Sequence, residues 1–231
     1  MIPADRARGC RVVLFDFGGT LDADGVAWKE RFHRLWCEEA EDLSPERFAQ
    51  AFYAADDAVV GAIPVDLPFR EMVERIGWGL AETLKRQDRQ LGGRIAARFY
   101  EEAWSRLQAS KRVLKQLSER YRLGIVSNFY GNLESVCAEA GLRPYLSVMV
   151  DSACVGCVKP DPRIFREALQ AVQAEPAEAI FVGDSLPRDM VGAKGVGMPH
   201  VWLTPKGTPC GPSCCPNDRV IHAVDELLEF L

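Results

Sequence analysis

The run Arg11-Val12-Val13-Leu14-Phe15-Asp16-Phe17-Gly18-Gly19 constrains the fold of this chain more than any other stretch. Four apolar residues, two of them β-branched, end at an acid and then at a pair of glycines. A buried strand must therefore break into a turn at Asp16. The run does not alternate with polar residues, which suits a strand covered on both faces, as in a parallel sheet. Residues 121–127, 146–151, 179–183 and 200–204 repeat this character.

Helical patterning separates these runs. Val113, Leu114 and Leu117 recur at helical spacing before the second. Leu133, Val136, Cys137 and Ala140 do so before the third, closing at Gly141 as a C-cap. Ile164, Phe165, Ala168, Leu169 and Val172 follow Pro160-Asp161-Pro162, a helix start. Met190, Val191 and Ala193 lie between the fourth and fifth runs, and residues 222–231 read as a closing amphipathic helix. The class is α/β, with a mostly parallel sheet of about five strands. Residues 26–107 break the alternation with helical patterning alone. Trp28, Phe32, Leu35 and Trp36 mark one helix face; Phe48, Ala51, Phe52 and Ala55 mark a second behind Ser44-Pro45-Glu46. Phe69, Met72, Val73 and Ile76 begin a third, and Ile95, Phe99 and Ala103 belong to a fourth. The chain thus divides into an α/β core of residues 1–25 and 108–231 and a helical insert of residues 26–107, whose aromatics are read as core.

A net charge of −5 over 231 residues gives no electrostatic reason to expect nucleic acid or an anionic membrane as partner. No segment approaches the roughly 20 apolar residues that span a bilayer, and the apolar run behind the charged N-terminus stops at Asp16, so no signal peptide is expected. The expectation is a cytoplasmic protein, monomer or homodimer, acting on a small molecule. The 8 cysteines are then expected as thiols or metal ligands rather than disulfides.

Chemistry gathers at the strand ends. Asp16 ends the first run, Ser127-Asn128 the second, Lys159 follows the third, and Asp184 follows Gly183 at the end of the fourth. Open parallel sheets bind ligands outside the carboxyl ends of their strands, so these groups share one edge. Asp16 and Asp184 can hold a hard cation through oxygen, which favours magnesium. A carboxylate can also attack phosphorus and form an aspartyl phosphate. Lys159 and the cation would offset charge on the transferring oxygens, and Ser127 with the backbone around Asn128 could hold them. Thr20 could support the nucleophile by hydrogen bonding.

These residues resemble the motifs of the haloacid dehalogenase-like superfamily. Asp16-Phe17-Gly18-Gly19-Thr20-Leu21 is similar to its first motif, Ser127-Asn128 to its second, Lys159-Pro160-Asp161-Pro162 to its third, and Gly183-Asp184-Ser185 with Asp189 to its fourth. The resemblance covers residues 11–204, and the insert sits where that family places a helical cap. It implies a Rossmann-like core and an Mg2+-dependent phosphohydrolase for a small phosphorylated metabolite. In it Asp16 is nucleophile and metal ligand, supported by Thr20 and Lys159. Ser127, Asn128 and Gly19 bind substrate, the Gly18 carbonyl and Asp184 complete the metal site, and Asp189 and Ser185 stand behind it.

Position 18 departs from the pattern. Family phosphatases carry there a second aspartate that protonates the leaving group and then activates water; this chain has glycine. Such acid–base catalysis contributes roughly 10²–10⁴-fold. Three accounts stay open. The leaving group needs no proton, as with an acyl phosphate. Asp22 or Asp24 substitutes, although both read more simply as solvated loop acids. Or the chain is a weak enzyme or a phospholigand-binding protein on the same fold. Metal-independent dehalogenation is disfavoured by Asp184, and a Schiff-base route through Lys29 or Lys85 by their reading as solvated helix lysines. Cys154, Cys157, Cys210, Cys214 and Cys215 invite a zinc reading, but the third and fifth strands are expected at opposite edges of the sheet, so reduced thiols are expected. His33, His200 and His222 form no ligand pattern, and Lys111-Arg112 reads as a solvated helix start.

Overall fold

Val12–Phe15 form strand β1, and all of its side chains are fully buried. The other strands are β2 (Arg122–Ser127), β3 (Leu146–Asp151), β4 (Ala179–Gly183), β5 (His200–Leu203) and β6 (Arg219–Ile221). The computed structural model describes residues 9–88, 90–208 and 219–231. Within them the strands form one sheet in the order β3-β2-β1-β4-β5-β6, every pair parallel. The chain runs outward from β1 through β2 to β3 and then returns to the other side of β1 as β4. The order reverses at β1, so the crevice for a ligand opens beyond its carboxyl end, where Asp16 follows.

Four helices separate β1 from β2: α1 (Trp28–Glu39), α2 (Pro45–Asp57), α3 (Phe69–Thr83) and α4 (Leu91–Leu117). Next come α5 (Leu133–Glu139), α6 (Ser152–Val155), α7 (Pro162–Ala171) and α8 (Val191–Gly195). Ser44 caps α2 by accepting from Arg47 N, with Pro45 at the first turn, and Asp161 caps α7 in the same way ahead of Pro162. Alternate residues of β1 enter two separate cores. Val13 and Phe15 join the core that continues through α4 into the aromatics Phe32, Trp36, Phe48 and Phe99, while Val12 and Leu14 join α7, with Ile164 and Phe165. Strand pleating sends successive side chains to opposite faces, and helices cover both. No helix among the described residues is long and apolar enough to cross a membrane.

Three expectations need correction. The fourth helical pattern and the one before β2 are a single helix, α4, of 27 residues and about 40 Å; its buried positions Ile95, Phe99, Ala103, Leu107, Ser110 and Leu114 keep one stripe throughout. Lys111-Arg112 therefore lies inside a helix rather than at its start. Residues 222–231 do not form an amphipathic helix: β6 precedes them, Ala223 is extended, and only a 3-10 segment, Val224–Glu229, follows. Finally, β3 is an edge strand but β5 is not, because β6 pairs outside it.

Helices α3 and α4 cross at Gly77 and Gly92, where a Cβ on either residue would overlap the carbonyl oxygen of the other. Gly92→Ala is expected to force these helices apart and destabilise the protein by about 1–3 kcal/mol, as overpacking does. Urea unfolding checks this: the midpoint should fall, and an unchanged midpoint would show that the crossing relaxes without cost.

Candidate active site

The turn after β1 is built around two glycines and one buried acid. Asp16 N donates to Val182 O (2.9 Å), extending the β1–β4 ladder by one residue. Thr20 N and Leu21 N then both donate to Phe17 O, closing the turn. Gly19 has φ +86°, and a Cβ there would lie 2.5 Å from Asp184 Oδ2. A Cβ on Gly183 would likewise overlap Asp189 Oδ2. Both positions need glycine so that two carboxylates can approach backbone closely.

Around Asp16 the groups from four strand ends converge. Ser127 Oγ donates to Asp16 Oδ1 (2.7 Å), and Lys159 Nζ lies 2.6 Å from the same oxygen. Lys159 Nζ also lies 2.7 Å from Asp189 Oδ1, while Asp189 Oδ2 accepts from Ser185 N (2.9 Å). Thr20 Oγ1 donates to Asp184 Oδ1 (3.3 Å) rather than to Asp16. Asn128 turns its amide onto the Lys159 backbone, accepting from Lys159 N (2.7 Å) and donating to Lys159 O (3.3 Å). Its side chain thus fixes the lysine loop. Phe129 N is likewise committed, to Ser152 Oγ.

Oxygens of Asp16, Asp184 and Asp189 all lie within 4.8 Å of one another, the one such His/Cys/Asp/Glu group among the described residues. Burial, then Asp189 and Asp16, push the Asp184 carboxyl well above the usual range. Burial pushes Asp189 up to about 6, against the pull of Lys159. Burial draws Lys159 down, but Asp16 and Asp189 more than offset it and hold the lysine above its ordinary value. Three carboxylates facing one ammonium leave excess negative charge, and a hard divalent cation would neutralise it with oxygen donors of the kind magnesium prefers. Cys154 and Cys157 carry free thiols and join no such group; Cys210, Cys214 and Cys215 lie outside the described residues.

The acids after the turn behave unlike solvated loop residues. Asp22 is fully buried and accepts from Gly19 N, Trp28 Nε1 and Arg31 Nη1, each at 2.7 Å. Burial raises its pKa against the opposing charge of Arg31. Asp24 pairs with Arg106 (2.7 Å). Neither lines the cavity of about 520 Å³ that opens over Asp16. That cavity is bounded on the α1–α2 side by Trp28, Phe52, Tyr53 and Asp56, and on the sheet side by Tyr130, Arg188 and Trp202. Trp28 and Phe52, read from sequence as core aromatics, therefore also wall the cavity. Sequence reasoning missed Asp56, Tyr130, Arg188 and Trp202. Only Trp202 had a signal, its place in the last apolar run; its Nε1 donates to Asp184 O (2.8 Å).

The indole of Trp28 packs tightly against position 18. A Cβ on Gly18 would meet Trp28 Nε1 at 3.1 Å and its ring carbons at 3.4 Å. The ring cannot retreat easily: Asp22 holds its Nε1, and Phe69, Phe99, Phe129 and Tyr130 surround it at centroid distances of 5.0–6.2 Å.

Comparison with known proteins gives a family and a fold. A family model described as haloacid dehalogenase-like hydrolase matches residues 10–197. The haloacid dehalogenase-like hydrolase domain-containing protein 3 of Mus musculus is 37% identical over 146 residues, covering 59% of this chain and 58% of that protein. Across the mouse, Bos taurus and Homo sapiens forms, the matched part spans 58–61% of the relative's length. A protein named phosphoserine phosphatase from Thermus thermophilus is 27% identical over 214 residues, 78% of this chain and 86% of its own. Among solved structures, a dehalogenase superposes with a TM-score of 0.66 at 21% identity, covering 96% of this chain and 97% of that one; this likeness concerns the fold alone.

Two substitutions test the turn. Asp22→Ala strands a buried Arg31 and an indole N–H, and is expected to cost about 3–5 kcal/mol in urea unfolding; a loss below about 1 kcal/mol would show the pair to be dispensable. Gly18→Asp should crowd Trp28 and lower the melting temperature. An unchanged melting temperature would show that the indole yields and the position accepts an acid.

Proposed function

The chain belongs to the haloacid dehalogenase-like hydrolase family, and from that premise we propose that it is a magnesium-dependent phosphohydrolase whose nucleophile is Asp16 and whose substrate is a small phosphorylated metabolite. The observation that carries this reading is the set of Asp16, Lys159, Asp184 and Asp189 at the sheet's switch point, all buried except the half-buried Asp184. A phosphoryl group brings dispersed negative charge, which calls for a nucleophile flanked by cations and a metal site. A halide leaving group on carbon gives no reason to build a metal site from further carboxylates. The phosphatase name of the Thermus thermophilus relative supports the same choice.

In this reading both described bonds to Asp16 fall on Oδ1, so Oδ2 offers the lone pair that attacks phosphorus. Lys159, held by Asp189 through its ammonium and by Asn128 through its backbone, keeps positive charge beside the transferring oxygens. Ser127 fixes the rotamer of Asp16 and can turn its hydroxyl to a phosphoryl oxygen. Asp16, Asp184 and the carbonyl of Gly18 would hold the magnesium ion, with Asp189 and Ser185 behind them. The ion supplies Lewis-acid neutralisation of the phosphoryl oxygens when bound. Residues 26–107 act as the cap: α1 and α2 carry the side chains that meet the leaving group and keep bulk water from the phosphoryl centre.

Asp16→Asn leaves Lys159 paired with Asp189 and should fold normally, with an unchanged circular dichroism spectrum. Its turnover of acetyl phosphate and of an aryl phosphate should fall by about 10³-fold or more. In the wild type, chelation should remove activity and added magnesium restore it. Turnover that survives Asp16→Asn would sink the mechanism.

A further inference from the structure

The proton that a phosphate ester's leaving group requires has no donor at Gly18, and the cavity narrows the alternatives. Among its lining residues, Asp16, Lys159 and Asp184 are engaged with one another at the sheet edge. Lys29 and Glu30 on α1 pair with each other at 3.1 Å, and Tyr53 is exposed beneath Lys29. Asp22, which follows the turn, is outside the cavity and saturated with hydrogen bonds. Asp56 is the remaining carboxyl. It lies near the end of α2, and the buried Tyr130 Oη donates to its Oδ1 at 2.5 Å.

Tyr130 ties this carboxyl to the reacting centre. It follows Ser127, Asn128 and Phe129 on the loop after β2, and its ring stacks on Trp28 at 5.8 Å. Trp28 in turn fills the space beside Gly18. Tyr130 O also accepts from Gly61 N, anchoring the segment just beyond α2. A continuous stack therefore runs from the place where a side chain is missing at position 18 to the carboxyl of Asp56.

We propose that Asp56 is the proton carrier of the hydrolysis, a catalytic residue presented from α2 in place of the side chain that position 18 lacks. The proposal rests on the phosphohydrolase reading above. In the first half-reaction, Asp16 Oδ2 bonds to phosphorus, the bond from phosphorus to the leaving oxygen breaks, and the Asp56 proton goes to that oxygen to give an alcohol. In the second, water oxygen bonds to phosphorus and the aspartyl oxygen takes back its electron pair. The water proton passes to Asp56, which ends protonated as it began. The surroundings suit both halves. Burial, with Asp57 beside it, pushes Asp56 up to about 6, while Tyr130 and Arg188 pull the other way. A carboxyl with a pKa near the working pH can both give and take a proton. Tyr130, Asp57 and Arg188 are the charged or titratable groups that act on it, with the Lys29–Glu30 pair across the cavity on α1.

The test is Asp56→Asn in the full chain with magnesium, assayed on phenyl phosphate, 4-nitrophenyl phosphate and acetyl phosphate. The first-half-reaction constant kcat/KM should fall about 10²–10⁴-fold for phenyl phosphate. It should stay within about threefold for acetyl phosphate, whose leaving group needs no proton. Slowed dephosphorylation should also give a stoichiometric burst of nitrophenolate that the wild type lacks. In the wild type kcat/KM for phenyl phosphate should fall as pH rises through about 6. Tyr130→Phe removes a bond that favours the ionised carboxylate, so it should move that fall to higher pH. Equal losses on phenyl and acetyl phosphate without a burst, or an unmoved pH profile in Tyr130→Phe, would overturn the assignment of Asp56. The phosphohydrolase reading would survive either result, provided that Asp16→Asn still abolishes turnover. A wild-type enzyme inactive on all three substrates with magnesium would sink the underlying reading and this proposal with it.

Discussion

Three carboxylates crowd one ammonium group at the carboxyl end of the central strand, and the rest of the structure is arranged to make that tolerable. Charges this deeply buried are costly unless paired and hydrogen-bonded. Lys159 is 3% exposed and Asp189 fully buried, yet each is paired: Lys159 bridges Asp16 and Asp189, and Asp189 also accepts from Ser185 N. The geometry depends on absent side chains as much as on those present. Glycine at 19 and 183 lets Asp184 and Asp189 approach backbone that any Cβ would block. Asn128 fixes the lysine loop from the neighbouring strand end. A parallel sheet with its order reversing at β1 brings these four strand ends to one crevice.

A second buried pair carries this order outward. Asp22 receives the Gly19 amide, the Trp28 indole and the Arg31 guanidinium, so one carboxylate joins the turn after β1 to the first turn of α1. Arg31 also packs 4.1 Å over the Phe99 ring and reaches toward Phe99 O, tying in α4. α4 runs without interruption from the helical insert to the edge of β2, and this helix and the Asp22–Arg31 pair tie the insert to the sheet together with bonds such as Asn132 Nδ2 to Leu67 O and Tyr130 Oη to Asp56. The hydrophobic core is likewise continuous from Phe15 to Phe48.

Much of this was legible in the sequence. Continuous apolar runs located five strands because strands buried on both faces cannot alternate, and polar groups at or after the ends of four runs marked the candidate site. The misses have local causes. β6 has three residues, too few for any period, and its partner β5 supplies the reason it forms. The four-residue periodicity of α4 was visible in two pieces, but polar positions around Trp104 and Lys111 hid their continuity. Asp22 and Asp24 looked like a solvated pair, because nothing in linear order shows that Arg31 and Trp28 fold back onto the first of them. Asp56 carried no signal: it is one acid in the pair Asp56-Asp57 at a helix end, and it acquires a cavity and a tyrosine only through the packing of α2 against the loop after β2.

That packing bears on why position 18 can be glycine. An acid at position 18 would stand on the same turn as Asp16, two residues along. Here that space belongs to Trp28, and its ring is fixed by Asp22 and by four neighbouring aromatics. Under the proposal for Asp56 the proton donor comes from α2, whose last turn already contacts the sheet side: Tyr130 Oη donates to Asp56, and Tyr130 O accepts from Gly61 N. The donor would then be held in place by packing between α2 and the Tyr130 loop rather than by the turn that carries Asp16. Discrimination would fall on the chemical step as well as on binding, the more so the more strongly a leaving group needs a proton.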